Sequence, residues 1–176
     1  MNHGNLLKDI PNYSSWVKIQ PITKGYSPDK KYYVENDLGE KMLLRVSDIT
    51  HFLAKQQDFE NLKKIEEMGI KMSLPLDFGT CANSTHVYSL FTWVEGEDAE
   101  VILTKESATR QYEYGVEAGK LLKKIHNLPA PLQQKKWEVR YGLKIQQKIQ
   151  NYTHCAVKLD QGEKIKIGRA SCRERV

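Results

Sequence analysis

Cysteine is scarce in this 176-residue chain. Cys81, Cys155 and Cys172 cannot pair evenly, and no CxxC or Cys/His metal spacing accompanies them. They supply neither a disulfide framework nor a metal knuckle, and reduced structural thiols are expected. Long apolar runs are missing too. None is long enough to cross a bilayer. The opening MNHGNLLKDIPNYSSW lacks the apolar core and cleavage site of a signal peptide. No membrane partner and a cytoplasmic location are therefore expected. Internal repeats and low-complexity tracts are also absent. What remains is ordinary globular material, 40% hydrophobic and 28% charged. The formal charge of +5 suggests a mild preference for anionic partners such as nucleotides or nucleic acid.

Part of that charge sits in an unusual tail. Residues Ile167 to Val176, IGRASCRERV, resemble a common sequencing adapter translated in one frame. Such a segment is set aside before fold reasoning. Its Arg169, Arg173 and Arg175 against Glu174 contribute a net +2, so the remainder carries +3. Cys172 leaves the count as well. The reading frame is expected to continue past Lys166, making the chain a fragment.

Three short strands are expected first: Trp16 to Pro21, Lys31 to Glu35 and Lys41 to Val46. Gly25 and Pro28 break the first connection, and Asn36-Asp-Leu-Gly39 is hairpin turn chemistry. The period then changes. Phe52, Phe59, Leu62 and Ile65 fall roughly on one side of a segment from about Ile49 to Met68, an amphipathic helix capped by Gly69. Two more strands follow, Leu74 to Gly79 and His86 to Thr92, around a polar turn at Ala82-Asn-Ser84. Tyr114, Ala118, Leu121, Leu122 and Ile125 then mark a helix face, ended by Leu128-Pro-Ala-Pro131. Lys135 to about Tyr152 is a further basic helix. The fold class is α+β, a small antiparallel sheet with one helix packed on it, then helices.

KGYSPDKKYYV, KMLLRVSD, DFENLKKIEEMGI, LPLDFGTC, VYSLFTWVEGED and GKLLKKIHNLPAP, in this order and spacing, resemble bacterial aminoglycoside phosphotransferases and their protein-kinase-like relatives. The resemblance covers roughly Trp16 to Tyr152. It implies a kinase-like small lobe of five antiparallel strands and one helix over residues 1–95. The hinge and first helices of an incomplete large lobe would occupy 96–166, and the adapter-like tail 167–176. It implies a phosphotransferase of the ATP-dependent kind, with Mg2+, acting on a small-molecule hydroxyl. An aminoglycoside-type antibiotic is the leading candidate, with antibiotic resistance as the biological setting.

The resemblance also assigns residues. Gly25, Tyr26 and Ser27 stand in the loop that covers the nucleotide phosphates, where glycine admits close backbone approach to an anion. The full GxGxxG of protein kinases is absent. Arg45 stands where the kinase pattern has its phosphate-pairing lysine. Strand alternation puts it beside Leu43 and opposite Met42, Leu44 and Val46. A charge there needs a partner. The implied one is Glu60, with Glu66 and Glu67 as later alternatives. The Thr92 carbonyl and the Val94 amide would hold the adenine edge at the hinge Thr92 to Gly96. The role of Trp93 stays open, and His126 is read as structural.

The catalytic residues are the notable absence. The family's loop carries an HGD-type sequence with a downstream asparagine, and a later aspartate holds magnesium. None of His51, His86, His126 or His154 begins such a motif, and His3-Gly-Asn5 lacks the carboxylate. The expectation is a nucleotide-binding portion without catalytic or metal-binding residues, binding ATP weakly or not at all and transferring no phosphate. The alternative is a non-catalytic kinase-like module. Nucleic-acid binding by the lysines at 123–124, 135–136 and 144–148 is set aside, because they read as solvated helix faces and no recognised motif accompanies them.

Overall fold

A computed structural model describes residues 4–25, 27–129 and 135–156. His3, Tyr26, the end of the Leu128-Pro-Ala-Pro131 stretch and the tail from Ile167 with Cys172 lie outside the described residues. The chain falls into two compact units, Met1–Leu128 and Pro129–Val176.

Unit one opens with a single helical turn, α1 (Gly4–Leu7), and a 3-10 turn at Tyr13–Ser15. The strands follow: β1 (Trp16–Ile22), β2 (Lys30–Asn36) and β3 (Lys41–Asp48). A 3-10 turn at Ile49–His51 leads into α2 (Phe52–Glu67), then β4 (Pro75–Cys81) and β5 (His86–Thr92). Two helices complete it, α3 (Ala99–Leu103) and α4 (Ala108–Ile125). In unit two, α5 (Trp137–Thr153) stacks the rings of Trp137 and Tyr141 at 4.6 Å.

The five strands form one antiparallel sheet in the order β1-β2-β3-β5-β4. With α2 on it and helices after it, this is the α+β arrangement of a kinase-like small lobe. The hairpin at Asn36 forms for the reason its sequence suggests. Asn36 Oδ1 accepts from the N–H groups of Leu38 (3.1 Å) and Glu40 (2.8 Å), and Gly39 takes φ +79°. Gly69 closes α2 at φ +66°, its N–H donating to the Glu66 carbonyl at 2.8 Å.

The two faces of the sheet are treated differently. Tyr32, Val34, Met42, Leu44, Val46, Tyr88 and Leu90 point to one face and form the core. Leu7 and Ile10 from the N-terminal segment cover it, with Tyr13 and Trp16 packed alongside. Asp9 pins that segment down. Its carboxylate accepts from the N–H groups of Ala82 (2.8 Å) and Asn83 (2.9 Å) in the β4–β5 turn, where Ala82, Asn83 and Ser84 all have positive φ. On the opposite face α2 packs over β4 and β5, with Phe59 against Phe78 and Phe91. Lys31, Tyr33, Leu43 and Arg45 lie on this same face of β2 and β3, only half-buried. Ser27 Oγ meets Arg45 there at 3.4 Å.

Candidate functional site

Strand register sets the site. Lys31 pairs with Arg45 and Arg45 with Ser89, while Tyr33 pairs with Leu43 and Leu43 with Phe91. A basic row and an apolar row thus cross the same face. Arg45 emerges beside Leu43 as strand alternation requires.

Its partner is not the one expected. Arg45 Nε (3.1 Å) and Nη2 (2.5 Å) both donate to Asp29 Oδ2. Glu60 instead pairs with Lys63 at 3.3 Å, with half its side chain in solvent. Glu66 and Glu67 are exposed and make no contact with Arg45 either. Helix geometry explains the correction. Phe52, Lys55, Phe59 and Leu62 recur at i, i+3, i+7 and i+10 and form the sheet-facing stripe of α2. Glu60 lies about 100° away from Phe59 around the axis and turns outward. The polar member of the inward stripe is Lys55, a cation.

Asp29 joins these groups. It stands just before β2, and its side chain is only 3% exposed. Besides Arg45 it accepts from Lys55 Nζ at 2.7 Å on Oδ2 and from Ser47 Oγ at 2.7 Å on Oδ1. Ser27 Oγ accepts from the Asp29 N–H at 3.2 Å and from Arg45 Nη2 at 3.4 Å. Burial alone would push the Asp29 carboxyl up. The donors Lys55, Ser47, Arg45 and Ser27 outweigh burial and hold it well below the usual carboxylate range. The carboxylate is therefore ionised at neutral pH, between two cations.

The loop before it needs its glycine. Gly25 has φ +98°, and a Cβ there would come within 2.8 Å of Lys31 Nζ, which donates to the Lys24 carbonyl. Lys24 also pairs with Asp98, linking this loop to the start of α3.

At the other end of the sheet, Thr92 is held by its neighbours. Its carbonyl accepts from Ser73 Oγ at 2.5 Å, and its N–H donates to the Leu74 carbonyl at 2.9 Å. The Val94 N–H has no acceptor among the described residues, and the Val94 side chain is exposed. Trp93 packs edge-on against Tyr33, centroids 4.9 Å apart, which gives it a packing role. Lys41 on β3 and Glu95, just past β5, pair at 2.5 Å. His126 caps α4, its backbone N–H donating to the Leu122 carbonyl.

Beside Arg45 the face opens into a cleft of about 430 Å³. Leu43, Arg45 and Phe91 line it from the sheet, Leu62 and Ile65 from α2, and Leu121 and Ile125 from α4. The geometry brings together Gly25, Ser27 and Arg45, adds Asp29, Lys55 and Ser47, and leaves Glu60 out. Asp29 and Lys55 carried readable signals: a Ser-Pro-Asp turn entering a strand, and a lysine in step with Phe52 and Phe59.

A model of the phosphotransferase enzyme family matches residues 18–174. The chain belongs to the phosphotransferase enzyme family. No curated protein and no solved structure matches it. Family membership makes it phosphotransferase-like in class, with a kinase-like small lobe. No helix among the described residues is long and apolar enough to cross a membrane. Nor do three or more His, Cys, Asp or Glu side chains gather as a possible metal site among them.

Proposed function

We propose that this chain is the nucleotide-binding portion of an ATP-dependent phosphotransferase acting on a small-molecule hydroxyl, with aminoglycoside-type antibiotics the first candidates. The observation that carries this is Arg45. It is held by Asp29 at the partly open face of the sheet, next to the loop of Gly25 and Ser27, on a strand that pairs with the one leading to the hinge. A guanidinium suits phosphate because it offers several donors in one plane. The Val94 N–H, without an acceptor among the described residues, is the donor this reading gives to the adenine edge. The Thr92 carbonyl, already bonded to Ser73, has a second lone pair for the same purpose. Tyr26 belongs to the loop by its place in the sequence. Glu60 has no part in it.

The proton acceptor for the substrate hydroxyl is assigned to the parent enzyme's HGD-type loop, and magnesium to its later aspartate. No residue of this chain is given either role. A soluble, cytoplasmic enzyme that meets ATP and its acceptor directly is the accompanying proposal. The absence of an HGD-type motif from the 176 residues favours a second reading, a non-catalytic kinase-like module. A parent gene that encodes such a loop would remove it.

The test is an ATP titration followed by thermal shift, together with ATP/Mg2+ turnover against an aminoglycoside panel. A ligand that binds only the folded state raises apparent stability. Weak ATP binding, lost in Arg45→Met, and no phosphotransfer are expected. An ATP response unchanged in Arg45→Met overturns the nucleotide assignment. Turnover by this chain overturns its description as a portion without catalytic residues.

A further inference from the structure

We infer that Asp29 is the positioning carboxylate of the phosphate site and that Lys55 is its second cation. Together they replace the helix glutamate that a kinase-like site would use. This rests on the nucleotide reading above, but the evidence for it is separate.

Asp29 has the geometry of a support rather than a ligand. Its Oδ2 receives three donors, Arg45 Nε, Arg45 Nη2 and Lys55 Nζ, and its Oδ1 receives Ser47. With the side chain buried and both oxygens engaged, it has little capacity left for a bound molecule. Arg45 and Lys55 are different. Arg45 uses Nε and Nη2 on Asp29 and Ser27, its Nη1 has no acceptor among the described residues, and its side chain remains 38% exposed. Lys55 uses one of its three ammonium protons on Asp29 and stays partly exposed. Two cations that would repel each other are thus held side by side, with donors left over, on the face that carries Gly25 and Ser27. The cluster keeps a net charge of +1 after Asp29 is counted. A chain of phosphates, as in a nucleoside di- or triphosphate, is the ligand chemistry that uses two adjacent cations with several donors.

The sign of one measurement separates positioning from simple charge. Asp29→Asn deletes a negative charge beside an anion site, so charge alone predicts tighter phosphate binding. Positioning predicts weaker binding, because both cations lose their common anchor. The probes are sodium tripolyphosphate, adenosine and ATP, titrated into the whole chain and followed by backbone and arginine side-chain NMR. Losing a charged hydrogen-bond anchor should weaken tripolyphosphate about tenfold in Asp29→Asn. Lys55→Met should weaken it comparably, and adenosine binding should be unchanged in both. The Arg45 Nε–H signal should also lose its protection from exchange in Asp29→Asn.

If Asp29→Asn does not fold, Ser47→Ala carries the same test, because it frees Oδ1 without changing any charge. Charge alone then predicts no change, and positioning predicts a loss of a few-fold. Unchanged or tighter tripolyphosphate binding in these Asp29 and Ser47 variants overturns the inference, while ATP binding by the wild type leaves the nucleotide reading standing. Tripolyphosphate binding that depends on Asp29, with no added gain for ATP over tripolyphosphate, supports the inference and overturns the adenine-binding hinge. No binding of tripolyphosphate to the wild type overturns the inference outright.

Discussion

Leu7 offers a direct test of how the sheet is stabilised. It belongs to a helix of only four residues, far too short to persist in water by itself. Yet its side chain is 0% exposed and part of the main core. Burial, not helix propensity, holds the N-terminal segment in place. Leu7→Ala removes three carbons from that core, and at roughly 0.8 kcal/mol for each buried carbon the transfer loss is about 2.4 kcal/mol. Rigid sites add a cavity cost, taking buried Leu→Ala up to about 5 kcal/mol. The segment can resettle, so the lower end applies, about 2.5 kcal/mol. The loss is also capped by the free energy with which the segment docks, because beyond that point it detaches. Leu44, fully buried on the central strand β3, has no such escape, and Leu44→Ala should cost about 4 kcal/mol. Leu53, 78% exposed on α2, is the control, and Leu53→Ala should stay within about 0.5 kcal/mol. Urea unfolding followed by tryptophan fluorescence measures all three. A Leu7→Ala midpoint equal to that of Leu53→Ala would refute the argument.

Acid should destabilise the lobe partly through Asp29. Its folded-state carboxyl lies below the ordinary value near 4, so the folded protein takes up the proton less readily than the unfolded chain. That stability is fully present above about pH 5 and is lost as pH falls below 4. Asp29→Asn should flatten this part of a stability–pH profile, and an unchanged slope would count against the cluster. The Cys81 thiol is buried, and burial together with the charge of Asp9 pushes its pKa up to about 11. Iodoacetamide at pH 8 should alkylate exposed Cys155 and spare Cys81 until urea is added, as peptide mapping will show. Gly79→Ala would put a Cβ 2.9 Å from the buried Tyr88 ring and disturb the 2.6 Å bond from its hydroxyl to Asp77. A loss of about 1–3 kcal/mol is expected on denaturation. No loss would mean that the ring can move aside.

Much of this molecule was determined locally. Strand alternation placed Arg45 on the face opposite Met42, Leu44 and Val46, because side chains on a strand must alternate. The Asn36–Gly39 hairpin, the Gly69 cap and the five-strand order of elements follow from turn and cap chemistry that acts within a few residues. The start of the chain was different. Nothing in MNHGNLLKDIPNYSSW shows that Leu7 and Ile10 cover one side of the sheet, since that contact spans long sequence separations and rests on Asp9 meeting a turn 73 residues away. The apolar residues of α4 could be seen as a helix face, but not that Leu121 and Ile125 would line a cleft with Leu43 and Phe91. The same limit explains Arg45. The sequence determined that a cation would stand on this face and would need a carboxylate. Which carboxylate it met depended on the rotation of α2 against the sheet. That rotation is set by packing Phe52 and Phe59 on Phe78 and Phe91, and it turned Lys55 inward and Glu60 out. Asp29 was within reach because two strands pair in register, a tertiary fact that no local pattern contains.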